Sequence, residues 1–187
     1  VSGKRFVLLD RDGTINVERD HILDPADLEL VAGAIEGLRE LRMLGLGLLV
    51  VTNQSAVGRG WITEEQLEVI HDRLRSLLGA GGVELDGIYV CPHRPDEGCE
   101  CRKPKPGLAL RASKTHGFDP TRAFVVGDHR SDVVMGRRLG ARTILLRTGH
   151  GEEELALGAG AFADHIVPDL REAASVIRDI VLAGAIR

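Results

Sequence analysis

Apolar positions along the chain follow two rhythms. Short continuous runs occur at 5–9 (RFVLL), 47–51 (GLLVV), 88–90, 123–126 and 143–146, the pattern of strands buried on both faces, and 165–167 offers a sixth. Between them Ile35, Leu38, Leu41 and Leu44, then Leu67, Ile70, Leu74, Leu77 and Leu78, recur at helical spacing and predict crossover helices. Helix starts are marked by Thr63 with Gln66 as a capping box, by Asp119 before Pro120, and by Asp169 with Glu172 three residues on. The final segment sets Leu170, Ala173, Ala174, Ile177, Ile180 and Val181 on one face. Alternating strand and helix predict an α/β fold: a doubly wound, mostly parallel sheet with helices on both faces. In such sheets ligands bind beyond the carboxyl ends of the strands. The polar, loop-rich stretches at 10–27, 52–61 and 91–107 each follow a strand, and a fourth covers 148–160.

The length of 187 residues suits one domain, with no repeat, low-complexity tract or linker to divide it. Hydrophobic residues make up 43% and charged residues 28%, which excludes a disordered or collagen-like chain. Aromatics are only 3%, so the core is expected to be aliphatic, and the 23 glycines point to many tight loops. A net charge of −4 supplies no field for nucleic acid or anionic lipid, and binding of phosphate then needs a metal or local cations. No targeting or membrane-spanning segment is visible, and a cytoplasmic protein is expected. No exposed heptad or long apolar edge demands a partner, so a monomer is expected.

Reactive residue types gather where the sheet rule puts them. The first strand runs into Asp10, Arg11, Asp12, Gly13 and Thr14. Paired carboxylates at i and i+2 at a strand mouth can hold a hard cation and react with a phosphate, although Asp and Gly are also common in solvated turns. The second strand ends in Thr52, Asn53, Gln54 and Ser55, which offer neutral donors to phosphoryl oxygens or make ordinary loop contacts. The fourth ends in the GDHRSD segment containing Asp128, His129 and Asp132. Asp128 can complete a magnesium site, and Asp132, a helical turn on, can orient a neighbour or cap the helix.

All three cysteines lie in the segment after the third strand, where Cys91, His93, Cys99 and Cys101 form CxHx5CxC. Four soft or borderline ligands suit tetrahedral zinc, and a site closed by four protein ligands is structural rather than catalytic. An odd cysteine count in so short a window does not fit a disulfide framework. Arg102, Lys103 and Lys105 follow at once, and Lys103 and Lys105 are two of only four lysines among 24 basic residues. An ammonium there can neutralise a transferring phosphoryl oxygen, while an arginine fork can take a second phosphate.

In their order, the DxDGT of Asp10 to Thr14, the strand-terminal Thr52, a lysine after the third strand and the GDxxxD of 127–132 resemble the haloacid dehalogenase superfamily of phosphohydrolases over nearly the whole chain. The zinc-type loop narrows the resemblance to the branch with heptose bisphosphate phosphatases and histidinol phosphate phosphatases. The TNQSAVGRG and KPKPG strings look like the heptose type.

The resemblance implies a Rossmann-like core without a separate cap domain and a magnesium-dependent phosphomonoesterase acting on a small sugar bisphosphate. Asp10 would be the nucleophile and Asp12 the general acid and base, with Thr52 and Lys103 on the transferring oxygens. Magnesium would be held by Asp10, the Asp12 backbone carbonyl and Asp128. Lys103 rather than Lys105 is preferred because it directly follows the zinc loop's arginine. Arg102 would reach substrate beyond the reacting group, and Glu18, Arg19, Asp20, His21, Asn53, Gln54, Ser55 and His129 would line the pocket. Position 129 departs from the heptose pattern, which has lysine there. A histidinol phosphate phosphatase would share every catalytic residue. A non-catalytic zinc-loop module recognising nucleic acid ends is the reading from another class, and the intact Asp10, Asp12, Lys103 and Asp128 set and the negative charge oppose it.

Overall fold

The computed structural model describes residues 3–185. Six strands, β1 (Phe6–Leu9), β2 (Gly47–Asn53), β3 (Gly87–Cys91), β4 (Phe124–Gly127), β5 (Arg142–Leu146) and β6 (His165–Val167), form one sheet in the order β3-β2-β1-β4-β5-β6. Every pairing is parallel, with Leu9 opposite Val50 on one side and Val126 on the other. The chain therefore winds outward in both directions from β1, and the crevice between β1 and β4 is the switch point where such sheets open a binding site.

Helices α1 (Ala34–Met43), α3 (Glu64–Ala80) and α7 (Leu170–Ala185) cover one face, and α4 (Gly107–His116) and α5 (Arg130–Leu139) the other. Alternate strand residues supply the two cores: Val7, Leu9, Leu48, Val50, Phe124 and Val126 face the first three helices, whereas Phe6, Leu8, Leu49, Val51 and Val125 face the other two. Leu38, Leu41, Ile70 and Leu74 are fully buried, and each such side chain stabilises the fold by roughly 1.5–3 kcal/mol. The core is aliphatic in the main, as the composition requires.

Local signals explain the element ends. Thr63 Oγ1 accepts from Gln66 N at 3.2 Å while Gln66 Oε1 accepts from Thr63 N at 2.9 Å, completing the capping box of α3. Asp169 Oδ1 accepts from Arg171 N and Glu172 N at the start of α7. Three expectations need correction. Asp119 does act as a cap, accepting from Thr121 N, but only a three-residue 3-10 turn follows (Pro120–Arg122) before β4 begins. The stretch 148–160 is not all loop, since it carries α6 (Gly151–Ala156) and enters a 3-10 turn at Ala159. The stretch 52–61 holds a single helical turn, α2 (Ser55–Gly58). Among the described residues no inserted domain stands over the sheet, and no helix is long and apolar enough to cross a membrane.

Candidate active site

The tip of β1 is pinned to β4 by a bond from Asp10 N to Val126 O of 3.0 Å, and Arg11 N donates to Asp10 Oδ1 at 2.7 Å. The chain then turns at Gly13, whose φ of +74° puts the site of a Cβ 2.1 Å from Asp128 Oδ2. Only glycine accepts both the left-handed backbone and that close approach. Asp128, directly after β4, accepts from Thr14 Oγ1 at 3.4 Å and from His150 N at 2.8 Å. Asp132, in the first turn of α5, accepts from His129 N through Oδ2.

Lys103 reaches this cluster from the loop after β3. Its side chain is 2% exposed, with Nζ 2.7 Å from Asp10 Oδ1 and 2.6 Å from Asp132 Oδ1. Asn53 at the end of β2 holds the Lys103 backbone in place, accepting from its N–H at 3.0 Å and donating to its carbonyl at 3.3 Å. Lys105 instead points outward, bonding Gly98 O and Glu100, so the geometry distinguishes the two lysines.

Three carboxylates and one ammonium share this buried space. Burial pushes Asp128 up to about 8, with the Asp10 and Asp132 charges adding to the effect. Burial also raises Asp10 to about 6, against the opposing pull of Lys103. Burial alone would lower the Lys103 pKa, but Asp10 and Asp132 more than compensate and raise it. Oxygen atoms of Asp10, Asp128 and Asp132 lie within 4.8 Å of one another. A hard divalent cation fits this donor set, because carboxylate oxygens suit it and its charge offsets repulsion that one lysine leaves uncompensated. Asp10, Asp128 and Asp132 are the groups of this cluster that could hold it.

The Asp12 side chain is fixed by different partners. Arg11 grips it with Nη2 2.8 Å from each carboxylate oxygen and Nε 3.1 Å from Oδ1. Asn16 Nδ2 and Gln54 Nε2 donate to it at 2.8 and 2.7 Å. Burial by itself would raise this carboxyl, but the Arg11 charge and these donors hold it below the usual range. Gln54 also donates to Thr52 Oγ1 at 2.9 Å, which orients that hydroxyl beside Asp12.

A cleft of about 380 Å³ opens above these groups, lined by Asp10, Asp12, Thr52, Lys103 and Asp128 at its base and by Glu18, Asp20, His21, Asn53, Gln54, Ser55, Arg102 and His129 around them. Arg19 is the exception among the predicted pocket residues. It turns away to pair with Glu29 at 3.1 Å and does not line the cleft. His129 caps α5, its Nδ1 accepting from Ser131 N, while its Nε2 lies 2.9 Å from Glu154; burial lowers its pKa.

The cleft also contains residues that sequence reasoning missed, including Pro104, Ser131 and His150. His150 arrives on the loop after β5, where Thr148 Oγ1 donates to Gly13 O at 2.6 Å. Gly149 packs so closely that a Cβ there would meet Asp128 Oδ2 at 2.1 Å. The rule used for the other strands, polar residues at the carboxyl end, applies equally to the TGHG of β5 and was the available signal.

At the end of β3 and in the loop that follows, Cys91, His93, Cys99 and Cys101 present ligand atoms within 4.8 Å of one another. Their S–S separations of 3.1–3.6 Å exclude disulfides. Three thiols and an imidazole converging in this way are compatible with tetrahedral zinc.

A paired-aspartate loop, a buried lysine and a further aspartate at the switch point of a doubly wound sheet define a hydrolase of the haloacid dehalogenase-like class. The family model described as HAD-hydrolase-like matches residues 100–173. The chain is 39% identical over 155 residues to the D-glycero-beta-D-manno-heptose-1,7-bisphosphate 7-phosphatase of Pasteurella multocida, covering 78% of this chain and 83% of that protein. It is 36% identical over 181 residues to the phosphatase of the same name from Yersinia pestis, covering 92% and 94%. The solved D,D-heptose 1,7-bisphosphate phosphatase of B. bronchiseptica, complexed with magnesium and phosphate, superposes with a TM-score of 0.88 at 30% identity, covering 94% of this chain and 98% of that one. The chain belongs to the heptose bisphosphate phosphatase family of HAD-like hydrolases, and it is a phosphatase.

Proposed function

We propose that the protein removes the 7-phosphate of D-glycero-D-manno-heptose 1,7-bisphosphate in the synthesis of nucleotide-activated heptose, through a phosphoryl group carried on Asp10. The β anomer in the relatives' names is taken over for this chain. The observation that carries the reading is the meeting of Asp10, Asp12, Lys103 and Asp128 in one cleft of a chain belonging to that family.

An Asp10 carboxylate oxygen attacks phosphorus, and the bond to the sugar oxygen breaks as the new O–P bond forms. Asp12, ionised in the free protein by its contact with Arg11, takes up a proton as the anionic substrate binds beside it, gives that proton to the departing alkoxide, then takes one from the water that attacks the aspartyl phosphate and frees Asp10. Lys103 and Thr52 hold the transferring oxygens, where most of the charge stabilisation of phosphoryl transfer is needed. Asp10, the Asp12 carbonyl and Asp128 would hold magnesium, which when bound screens the approach of carboxylate to phosphate and neutralises developing charge. Arg102, whose Nη1 is steadied by His93 O at 3.1 Å, receives the phosphate that does not react. His21, packed edge-on against Trp61 at 4.7 Å, and Ser55 line the sugar. Cys91, His93, Cys99 and Cys101 would hold zinc, which when bound would pin the loop that carries Arg102 and Lys103.

The chain acts as one phosphatase domain, monomeric and cytoplasmic, on a small-molecule substrate and without nucleic acid or membrane. Phosphate release from both heptose bisphosphate anomers and from histidinol phosphate tests the reading. Preferential turnover of the heptose substrate is expected, and faster turnover of histidinol phosphate overturns the assignment. Asp10→Asn is expected to abolish release, and unchanged activity removes Asp10 as nucleophile.

A further inference from the structure

Arg11 is the largest fully buried side chain among the described residues, at 0% exposure. A buried guanidinium demands partners for each of its donors. Nε and Nη2 are satisfied by the Asp12 carboxylate. The remaining nitrogen, Nη1, lies 3.4 Å from Nε2 of His71, sixty residues away in sequence and 1% exposed on the core face of α3. His71 sits in line with Leu67, Ile70, Leu74 and Leu78, where packing alone would favour an apolar residue.

The proton positions follow from the donors. Guanidinium has no acceptor, so His71 Nε2 must be the unprotonated nitrogen. Burial first, and the Arg11 charge second, lower the imidazole to about 4 and keep it neutral. Its single proton then lies on Nδ1, which faces Glu68 Oε2 at 3.6 Å. Glu68 is in turn anchored by Arg75 at 2.6 Å. Polar contacts thus link the outer face of α3 to Asp12 through Glu68, His71 and Arg11, the Glu68–His71 contact of 3.6 Å being longer than a hydrogen bond. Two of the Arg11 links to Asp12 form a rigid fork, which fixes the plane of the carboxylate only if the guanidinium cannot swing.

We propose that His71, acting through Arg11, is a positioning residue that sets the orientation of the Asp12 side chain, which in its protonated form gives the proton to the leaving sugar oxygen. This rests on the reading of Asp12 as general acid given above. His71 does not itself line the cleft, and its hydrogen-bond partner on that side is Arg11 Nη1. Without the Nε2 acceptor, Nη1 is left unpaired in the core, and the fork can reorient toward other acceptors and carry Asp12 with it.

The test compares two phosphate donors on the magnesium-loaded full chain. Heptose bisphosphate leaves as an alkoxide that needs a proton, whereas acetyl phosphate leaves as a carboxylate that needs none, and kcat/KM reports the step in which the leaving group departs. His71→Leu is expected to lower kcat/KM for the heptose substrate about tenfold while leaving acetyl phosphate within about twofold. His71→Gln, whose amide oxygen can accept from Nη1, is expected to recover to within about threefold of the parent. The ratio between the two substrates does not depend on the fraction of folded protein. If the leucine variant fails to fold, Glu68→Ala reads the same ratio from the exposed end of these contacts, with a selective loss of about threefold expected. Equal loss on both substrates, loss on neither, or a glutamine variant as impaired as the leucine one overturns the proposal. Asp12→Asn is the separate control. It should show the same selectivity more strongly, and an even loss on both substrates would instead refute Asp12 as the acid.

Discussion

Lys103→Met removes the one ammonium from the carboxylate cluster while keeping most of the side chain's length. In the parent protein Nζ lies 2.7 Å from Asp10 and 2.6 Å from Asp132. At an effective dielectric constant of about 20 each attraction is roughly 6 kcal/mol, most of it offset by the desolvation of three ions. Removing one partner of a buried pair leaves the others stranded, at a net cost of about 3–5 kcal/mol. Urea unfolding in magnesium-free buffer should show that loss. Adding Asp132→Asn takes away one stranded charge, and its amide oxygen can still accept from His129 N, so at least half of the lost stability should return. Turnover should stay at least about a hundredfold down in both variants, because neither restores a cation for the transferring oxygens. Stability and activity therefore separate. A Lys103→Met variant within 1 kcal/mol of the parent and within tenfold in activity, or a double variant that regains turnover, would refute the reasoning.

Three further outcomes follow from other contacts. Gly149→Ala (φ +51°) drives a Cβ to within 2.1 Å of Asp128 Oδ2 and 2.6 Å of Gly13 Cα, whereas Gly158→Ala (φ +87°) meets nothing within 4 Å. The first should weaken the magnesium dependence of turnover and lower kcat/KM at least about tenfold, while the second should cost about 1 kcal/mol of stability and leave activity intact. Equal effects in a magnesium titration would contradict the packing of this loop. Cys99→Ser should lower the zinc bound per chain, measured by elemental analysis, and reduce the melting temperature by roughly 6–12 °C, equivalent to about 3 kcal/mol. Finally, the folded His71 imidazole titrates near 4 rather than 6.5, so on acidification the unfolded chain takes up that proton first. Its contribution is whole above pH 6.5 and lost as pH falls toward 4, by up to about 3 kcal/mol. The pH dependence of the urea midpoint should be shallower in His71→Gln over that window; identical slopes would sink the assignment of a neutral buried imidazole.

Much of this architecture is legible in the residue pattern because parallel strands are buried on both faces and read as unbroken aliphatic runs. The strands at 5–9, 47–51 and 143–146 stand out for that reason, and the sheet rule then directs attention to Asp10, Thr52 and Asp128 at their ends. The Cys91, His93, Cys99 and Cys101 spacing is equally plain, since ligand types are local to one loop. What escaped depends on distant contacts. A charged residue between two aspartates looks solvated, and nothing near Arg11 in the chain announces a partner on α3. Gly149 and His150 matter because the β5 loop folds back onto Asp128, a meeting of positions 22 residues apart for His150. Arg19 failed for a local reason, since its neighbours Glu18 and Asp20 face the cleft and it faces Glu29. Asp119 shows the limit of a cap signal: it starts a turn, and an apolar face must follow before that turn becomes a helix.

The central claim, that this phosphatase takes the 7-phosphate from a heptose 1,7-bisphosphate, is tested most directly by following the two phosphorus signals of that substrate by NMR during turnover. The signal of the C7 ester should disappear as inorganic phosphate grows, with the C1 phosphate retained in a monophosphate product. Loss of the C1 signal first, or persistence of both while histidinol phosphate is cleaved under the same conditions, would contradict the account.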